Sequence, residues 1–233
     1  MNILAVDTCF GALSAAVAGS RDEALVVLAE AGEPHSSGAA ERLMPMIREV
    51  MQAAGLTFAG LDRLAVTIGP GTFTGVRAGV AAVRGLALAA RRPVVTMTSL
   101  AVMAAVARGL LGGEHANRRL CVAVDARQVA VYLQVFGSDG QAGSPALVAV
   151  HDAAALIGRE PVTVAGSGAG AVVKVVNSIG GNAEETLPDL KPHARALALA
   201  AATLAPTNRL TPLYLRALDA RPQSDGTGLW AKS

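Results

Sequence analysis

Aromatic side chains make up only 3% of this 233-residue sequence and charged ones only 16%. A core that cannot be filled by rings must be built from Ala, Val and Leu, a composition suited to helices layered on sheets. Two cysteines, Cys9 and Cys121, are too few for a disulfide framework and show no metal-type spacing. The histidines, His35, His115, His151 and His193, are scattered and form no helical ligand pair, so no metal site is expected. Arg and Gly break every apolar run well short of the roughly 18 residues that a membrane span needs. The first residues run straight into a strand with no basic lead or apolar signal segment, which predicts a cytoplasmic protein without a membrane passage. Net charge is +2, and no Lys/Arg cluster is interleaved with aromatics, so a self-sufficient nucleic-acid surface is not expected.

What is present is concentrated in Ile68-Gly69-Pro70-Gly71-Thr72-Phe73-Thr74-Gly75-Val76-Arg77-Ala78-Gly79. A β-branched strand over 64–68 empties into a glycine-rich turn that opens a long helix of small residues over 74–90. Gly69 and Gly71 free the turn's backbone, and Thr72 or Thr74 can cap the helix. A phosphate loop would need a Lys-Ser/Thr pair after the last glycine, whereas Gly75 is followed by Val76-Arg77. On the helix, Gly75, Gly79, Ala82 and Leu86 recur at spacings of four, three and four, with Ala78, Ala81 and Gly85 on an adjacent stripe. Each helical glycine is about 1 kcal/mol worse than alanine, so a close backbone contact must compensate. That contact is either the protein's own sheet or a partner's helix.

An internal echo organises the chain. Ile3-Leu4-Ala5-Val6-Asp7-Thr8 leads through a tight turn to a strand over 12–18, and Leu120-Cys121-Val122-Ala123-Val124-Asp125-Ala126 leads to one over 129–136. Two copies of a strand, an Asp, a turn and a second strand predict two related subdomains. The first has the order β-β-β-α-β-α-β-α, with helices over 39–54, 74–90 and 100–111; Leu43, Met46, Ile47, Val50 and Ala54 share one face of the first of these. The second repeats the opening, adds strands over 146–150 and 161–165, and places Gly166-Ser167-Gly168-Ala169-Gly170 before a helix that reaches residue 177. A last helix is expected over 193–204. The predicted division is 1–112, 113–218 and a mobile tail over 219–233 rich in Arg, Pro, Ser, Asp and Gly.

These pieces resemble the TsaB (YeaZ) family, the partner subunit of bacterial tRNA threonylcarbamoyladenosine (t6A) synthesis. The resemblance is carried by Ile3 to Thr8, by Glu41-Arg42-Leu43-Met44-Pro45-Met46-Ile47, by Ile68 to Gly79 with Gly85-Leu86-Ala87-Leu88, by Val124-Asp125-Ala126-Arg127 with Val131-Tyr132, and by Pro212-Leu213-Tyr214-Leu215-Arg216. It implies an α/β fold of the actin/Hsp70/RNase H-like ASKHA class, with two related subdomains, each a mixed sheet flanked by helices. It also implies a non-catalytic subunit that binds TsaD, the enzyme that places a threonylcarbamoyl group on N6 of adenosine 37 in tRNAs reading codons that begin with A. TsaE and tRNA would be met through that complex, and a homodimer through the same face is open. Binding through the first-subdomain helices points to Leu43, Met46, Ile47, Val50, Gly75, Arg77, Ala78, Gly79, Ala82 and Leu86 as the partner interface. Two departures stand out: Ala39 and Ala40 precede Glu41 where the family carries a nearby His, and Cys9 replaces a common Ser. His35 is given no role.

The alternative is an ASKHA-type ATPase or small-molecule kinase acting on its own. In such enzymes the carboxylates after the first strand of each repeat hold magnesium and orient water, which here are Asp7 and Asp125. Each Asp can equally cap its own turn. Thr8 beside Asp7, and Gly166 and Gly168 in the second glycine turn, complete a vestigial nucleotide site by resemblance. No cofactor is expected, and weak ATP or ADP binding, alone or at the TsaD boundary, is left open. Cys9 has no His near it in sequence and is read as a small apolar filler.

Overall fold

The computed structural model describes residues 1–34, 38–112, 118–127 and 129–215. His35, His115, Arg216, Arg221 and the tail over 219–233 lie outside the described residues.

β1 (Asn2–Asp7), β2 (Ala12–Arg21) and β3 (Ala24–Pro34) form an antiparallel meander, and β4 (Arg63–Thr67) and β5 (Val94–Met97) add to it in parallel. The order is β3-β2-β1-β4-β5. Between these strands run α1 (Ala39–Ala53) and α2 (Phe73–Ala90), and α3 (Ser99–Leu110) follows. β6 (Arg119–Asp125), β7 (Ala130–Phe136), β8 (Ala146–Ala149), β9 (Val162–Ala165) and β10 (Ala183–Thr186) build the second sheet in the order β10-β9-β6-β7-β8. Read from its other edge, that order and its strand directions repeat the first sheet's. α4 (Ala153–Ile157) and α5 (Ala169–Ser178) pack on this sheet, and α6 (Ala194–Ala200) closes the described helices.

β1 is apolar throughout because it is covered on both faces. Leu4 and Val6 point to one side, where Leu43, Met46, Ile47 and Val50 of α1 and Val76, Val80 and Val83 of α2 complete a core. Ile3 and Ala5 point to the other, against Ala194, Leu197 and Ala198 of α6. The period of two in the strand thus meets a different helix on each side. α6 follows the second sheet in the chain yet covers the first, while α3 packs on β6 and β7. The two halves are therefore tied by reciprocal helices, a placement that reading the chain in order does not reveal. α6 ends at Ala200, short of the expected residue 204, where the Arg63 guanidinium takes the carbonyls of Ala201, Ala202 and Leu204 at 2.8, 3.3 and 3.1 Å.

α2 is the one described helix long and apolar enough to cross a membrane by length and composition. Gly75, Val76, Gly79, Val80 and Val83 are buried against the protein's own first half. Arg77, Ala81, Arg84, Gly85 and Leu88 lie on the opposite, exposed face. A Cβ built at Gly85 meets nothing within 4 Å. Gly85→Ala should therefore raise stability by about 0.5–1 kcal/mol, from helix propensity alone, as read by urea denaturation.

Candidate functional site

The glycine-rich turn is a knot of packing contacts. Thr72 caps α2 by accepting the Gly75 N–H at 3.2 Å. Ile68 C=O accepts from Leu213 N–H at 2.7 Å, and Gly69 C=O accepts from Ser99 N–H at 2.9 Å. Gly69 has φ +102°, and a Cβ there would sit 2.9 Å from the Leu213 carbonyl oxygen. These backbone groups are satisfied within the chain, which agrees with a capped turn feeding a packing helix.

Gly75 and Gly79 are small because Thr8 passes directly over them. A Cβ at Gly75 would lie 2.5 Å from the Thr8 carbonyl oxygen, and one at Gly79 would lie 2.5 Å from Thr8 Oγ1. Thr8 Oγ1 also donates to the Gly75 carbonyl at 2.7 Å. The compensating contact for these glycines is therefore the protein's own β1–β2 turn. This corrects the sequence-based interface: Gly75 and Gly79, with Leu43, Met46, Ile47 and Val50, are buried in the first core and cannot meet a partner. Ala82 and Leu86 are half-buried and pack against the same core. Arg77 is exposed and Ala78 half-exposed.

Beside this knot Asp7 is fully buried. Cys9 Sγ donates to Thr67 Oγ1 at 3.4 Å, and Thr67 Oγ1 donates to Asp7 Oδ1 at 2.6 Å. Asp7 Oδ2 is enclosed without a hydrogen-bond partner. Burial pushes the Asp7 carboxyl up to about 7, and the Thr67 hydroxyl, which favours the charged form, offsets only part of that. Burial, and then the charge of Asp7, hold the Cys9 thiol well above its usual range, so Cys9 sits there as a protonated filler and not as a nucleophile.

Asp125 is unlike its counterpart. It is exposed at the end of β6, where its N–H donates to Ser167 Oγ at 3.1 Å. Gly168 N–H donates to Ala123 C=O at 3.0 Å. Gly166 has φ +103°, and a Cβ there would lie 2.4 Å from the Ala123 oxygen, while one at Gly168 would lie 2.9 Å from Val131 Cγ1. The structure thus brings Asp125, Gly166 and Gly168 together at one strand end, and sets Asp7 and Thr8 against α2. Phe10, in the β1–β2 turn at φ 52°, reaches between the halves to Tyr132 of β7, with ring centroids 5.9 Å apart. Among the described residues no three His, Cys, Asp or Glu side chains converge as metal ligands.

Two features escaped the sequence reading. The first is a cluster at the start of α2: the Arg77 guanidinium lies 3.4 Å from the Phe73 ring centroid, Arg77 Nε donates to Tyr214 Oη at 2.9 Å, and the two rings are 5.3 Å apart. Tyr214 brings the segment over 207–215 alongside α2, where Arg84 also donates to the Leu210 carbonyl. The signal was the repeated Arg on an apolar helix, which marks the side turned away from the sheet. The second is an open groove of about 920 Å³ between α3, α6 and the segment over 187–193, floored by Val106, Leu110, Leu190 and Leu199; it includes none of the predicted site residues.

Paired sheets of one repeated order, joined through reciprocal helices, define the actin/Hsp70-like ASKHA class. The family model of TsaD, tRNA N6-adenosine threonylcarbamoyltransferase, matches residues 31–168. A Haemophilus influenzae tRNA threonylcarbamoyladenosine biosynthesis protein TsaB is 36% identical over 132 residues, 57% of this chain and 52% of that protein, so the match spans about half of that relative. An uncharacterized Mycobacterium tuberculosis protein is 32% identical over 223 residues, 94% of each chain. The crystal structure of an uncharacterized Pseudomonas aeruginosa protein with similarity to peptidase YeaZ superposes with a TM-score of 0.73 and 31% identity, covering 92% of this chain and 99% of that one. The chain belongs to the TsaB/YeaZ family.

Proposed function

We propose that this chain is a non-catalytic subunit in tRNA threonylcarbamoyladenosine biosynthesis, acting in the cytoplasm by docking on TsaD and favouring its active arrangement. Family membership supports the pathway. The observation that carries the docking role is the outer face of α2, where Ala81, Gly85 and Leu88 are exposed and Leu88 is 81% accessible. An 18-residue helix with small residues and a bare leucine outward is a surface on which another helix can seat closely. The interface residues are then Arg77, Ala78, Ala81, Gly85 and Leu88, in place of the buried stripe. A partner of this kind accelerates a reaction only by binding the competent conformation of the enzyme better than the idle one.

The carboxylates support this reading over an independent ATPase. Asp7 is enclosed and Asp125 is exposed, and the Thr8 hydroxyl is already spent on Gly75. These residues fit a nucleotide phosphate or its metal poorly. TsaD expressed with this chain should co-purify with it, and the chain alone should turn over no ATP. Asp125→Asn should leave threonylcarbamoylation by the reconstituted set within about twofold, because no proton transfer depends on it. A roughly hundredfold loss with assembly intact would instead support the enzyme reading.

A further inference from the structure

The groove of about 920 Å³ between α3 and α6 is lined by Leu110 and Leu199, which are 66% and 36% exposed, and by Val106, Leu187 and Leu190. Clefts of about 300–1,000 Å³ with apolar linings hold ligands of many atoms, so bulky side chains fit here. Bare leucines on such a surface call for a cover. The charges at its edge are few. Arg195 is held by Glu30 at 3.0 Å, whereas Asp189 and Lys191, both exposed, are in no ion pair among the described residues.

The sequence past the described residues carries a group that matches this lining. Residues 219–228 include no Val, Ile, Leu, Met, Phe, Tyr or Trp and read as a linker, with Pro222, Gly226 and Gly228 among them. Leu229 and Trp230, the one tryptophan of the chain, follow at once. Asp225 precedes this pair and Lys232 follows it, one opposite charge each for Lys191 and Asp189.

We propose that Leu229 and Trp230 of the chain's own tail seat in this groove and clip α3 to α6. The reach follows from the path of the chain. It leaves the groove at Ala200 and arrives at Leu215 fifteen residues later, so even a straight path would hold Leu215 no more than about 50 Å away. The real path is shorter, because Arg63 gathers the carbonyls of Ala201, Ala202 and Leu204. The fourteen residues from Leu215 to Leu229 span up to about 46 Å, enough to return. A tether raises the local concentration of the pair, so a contact of two side chains suffices. α3 packs on the second sheet and α6 on the first, so a filled groove also ties the two halves together. No part of the α2 face is involved.

Because Trp230 is the one tryptophan, its fluorescence in the full chain reads the tail alone. Emission should be blue-shifted in the native chain, and acrylamide should quench it at least about threefold less than in the urea-unfolded chain, as expected of an indole taken out of water. Leu110→Glu with Leu199→Glu changes two exposed positions, so the fold should survive, which a cooperative urea transition verifies. Both readings should then match those of the unfolded chain. Leu229→Ser with Trp230→Ser alters only the tail, and should bind a fluorescent apolar dye more strongly than the wild type because the groove is left open. A native indole as easily quenched as the unfolded one would overturn the proposal. So would a protected indole that ignores the two groove substitutions, or equal dye binding by the tail variant and the wild type. Return of protection when the groove variant is mixed at micromolar concentration with the tail variant would give the groove to a second copy's tail, and overturn its assignment to the chain's own.

Discussion

Gly75→Ala should destabilise the protein by about 3 kcal/mol, a large effect for the addition of one methyl group. The added carbon would meet the Thr8 carbonyl oxygen at 2.5 Å and Thr72 Oγ1 at 2.7 Å. The first is backbone in the tight β1–β2 turn, and the second is the hydroxyl that caps α2, so neither can yield without cost. Helix propensity alone would favour alanine by about 1 kcal/mol, so the sign of the change separates the two effects. Gly79→Leu should fail in the same way, through Thr8 Oγ1. Urea denaturation of the isolated chain is the measurement. A stable Gly75→Ala or Gly79→Leu chain that has lost only its partner would return these glycines to an external interface.

The second large effect lies in the pH dependence of stability. Burial raises the Asp7 carboxyl from 3.8 to about 7 in the folded chain. Between these values the folded state holds a proton that the unfolded state has released. Stability therefore falls as pH rises from about 4 to about 7, and the loss is complete above that. At about 1.4 kcal/mol for each pKa unit, the group costs up to roughly 4 kcal/mol at pH 8 relative to pH 4. Asp7→Asn should remove that dependence, gaining roughly 2–4 kcal/mol on the wild type between pH 4 and pH 8. Thermal or urea unfolding across this range reads the difference directly. A constant gap between the two chains would mean that Asp7 does not carry a buried charge.

Much of this architecture was legible because strands and helices announce themselves by period. The echo of Asp7 and Asp125 on paired strands gave two similar units, and the sheets share one strand order. β10 was missed because Ala183-Glu184-Glu185-Thr186 is short, half charged and at a sheet edge, where apolar alternation is not required. The crossing of α6 onto the first sheet was hidden because sequence order says nothing of which layer a helix joins. The interface failed for a related reason. α2 carries small residues on two stripes, and spacing identifies stripes without saying which one faces the sheet. Thr8 decides it, by a contact between residues far apart in the chain. Arg77, Arg84 and Arg91 were the available clue, since three charges at seven-residue spacing mark the side that stays in water.

The central claim is that this chain assists a catalytic partner and performs no chemistry itself. Threonylcarbamoyl transfer to tRNA adenosine should be measured with TsaD and TsaE present, with this chain added or withheld. The account predicts modification that depends on the chain, saturates when it matches TsaD in a fixed ratio, survives Asp125→Asn and is lost with Gly85→Trp. Full modification without the chain, or loss of modification by Asp125→Asn in an intact complex, would contradict it.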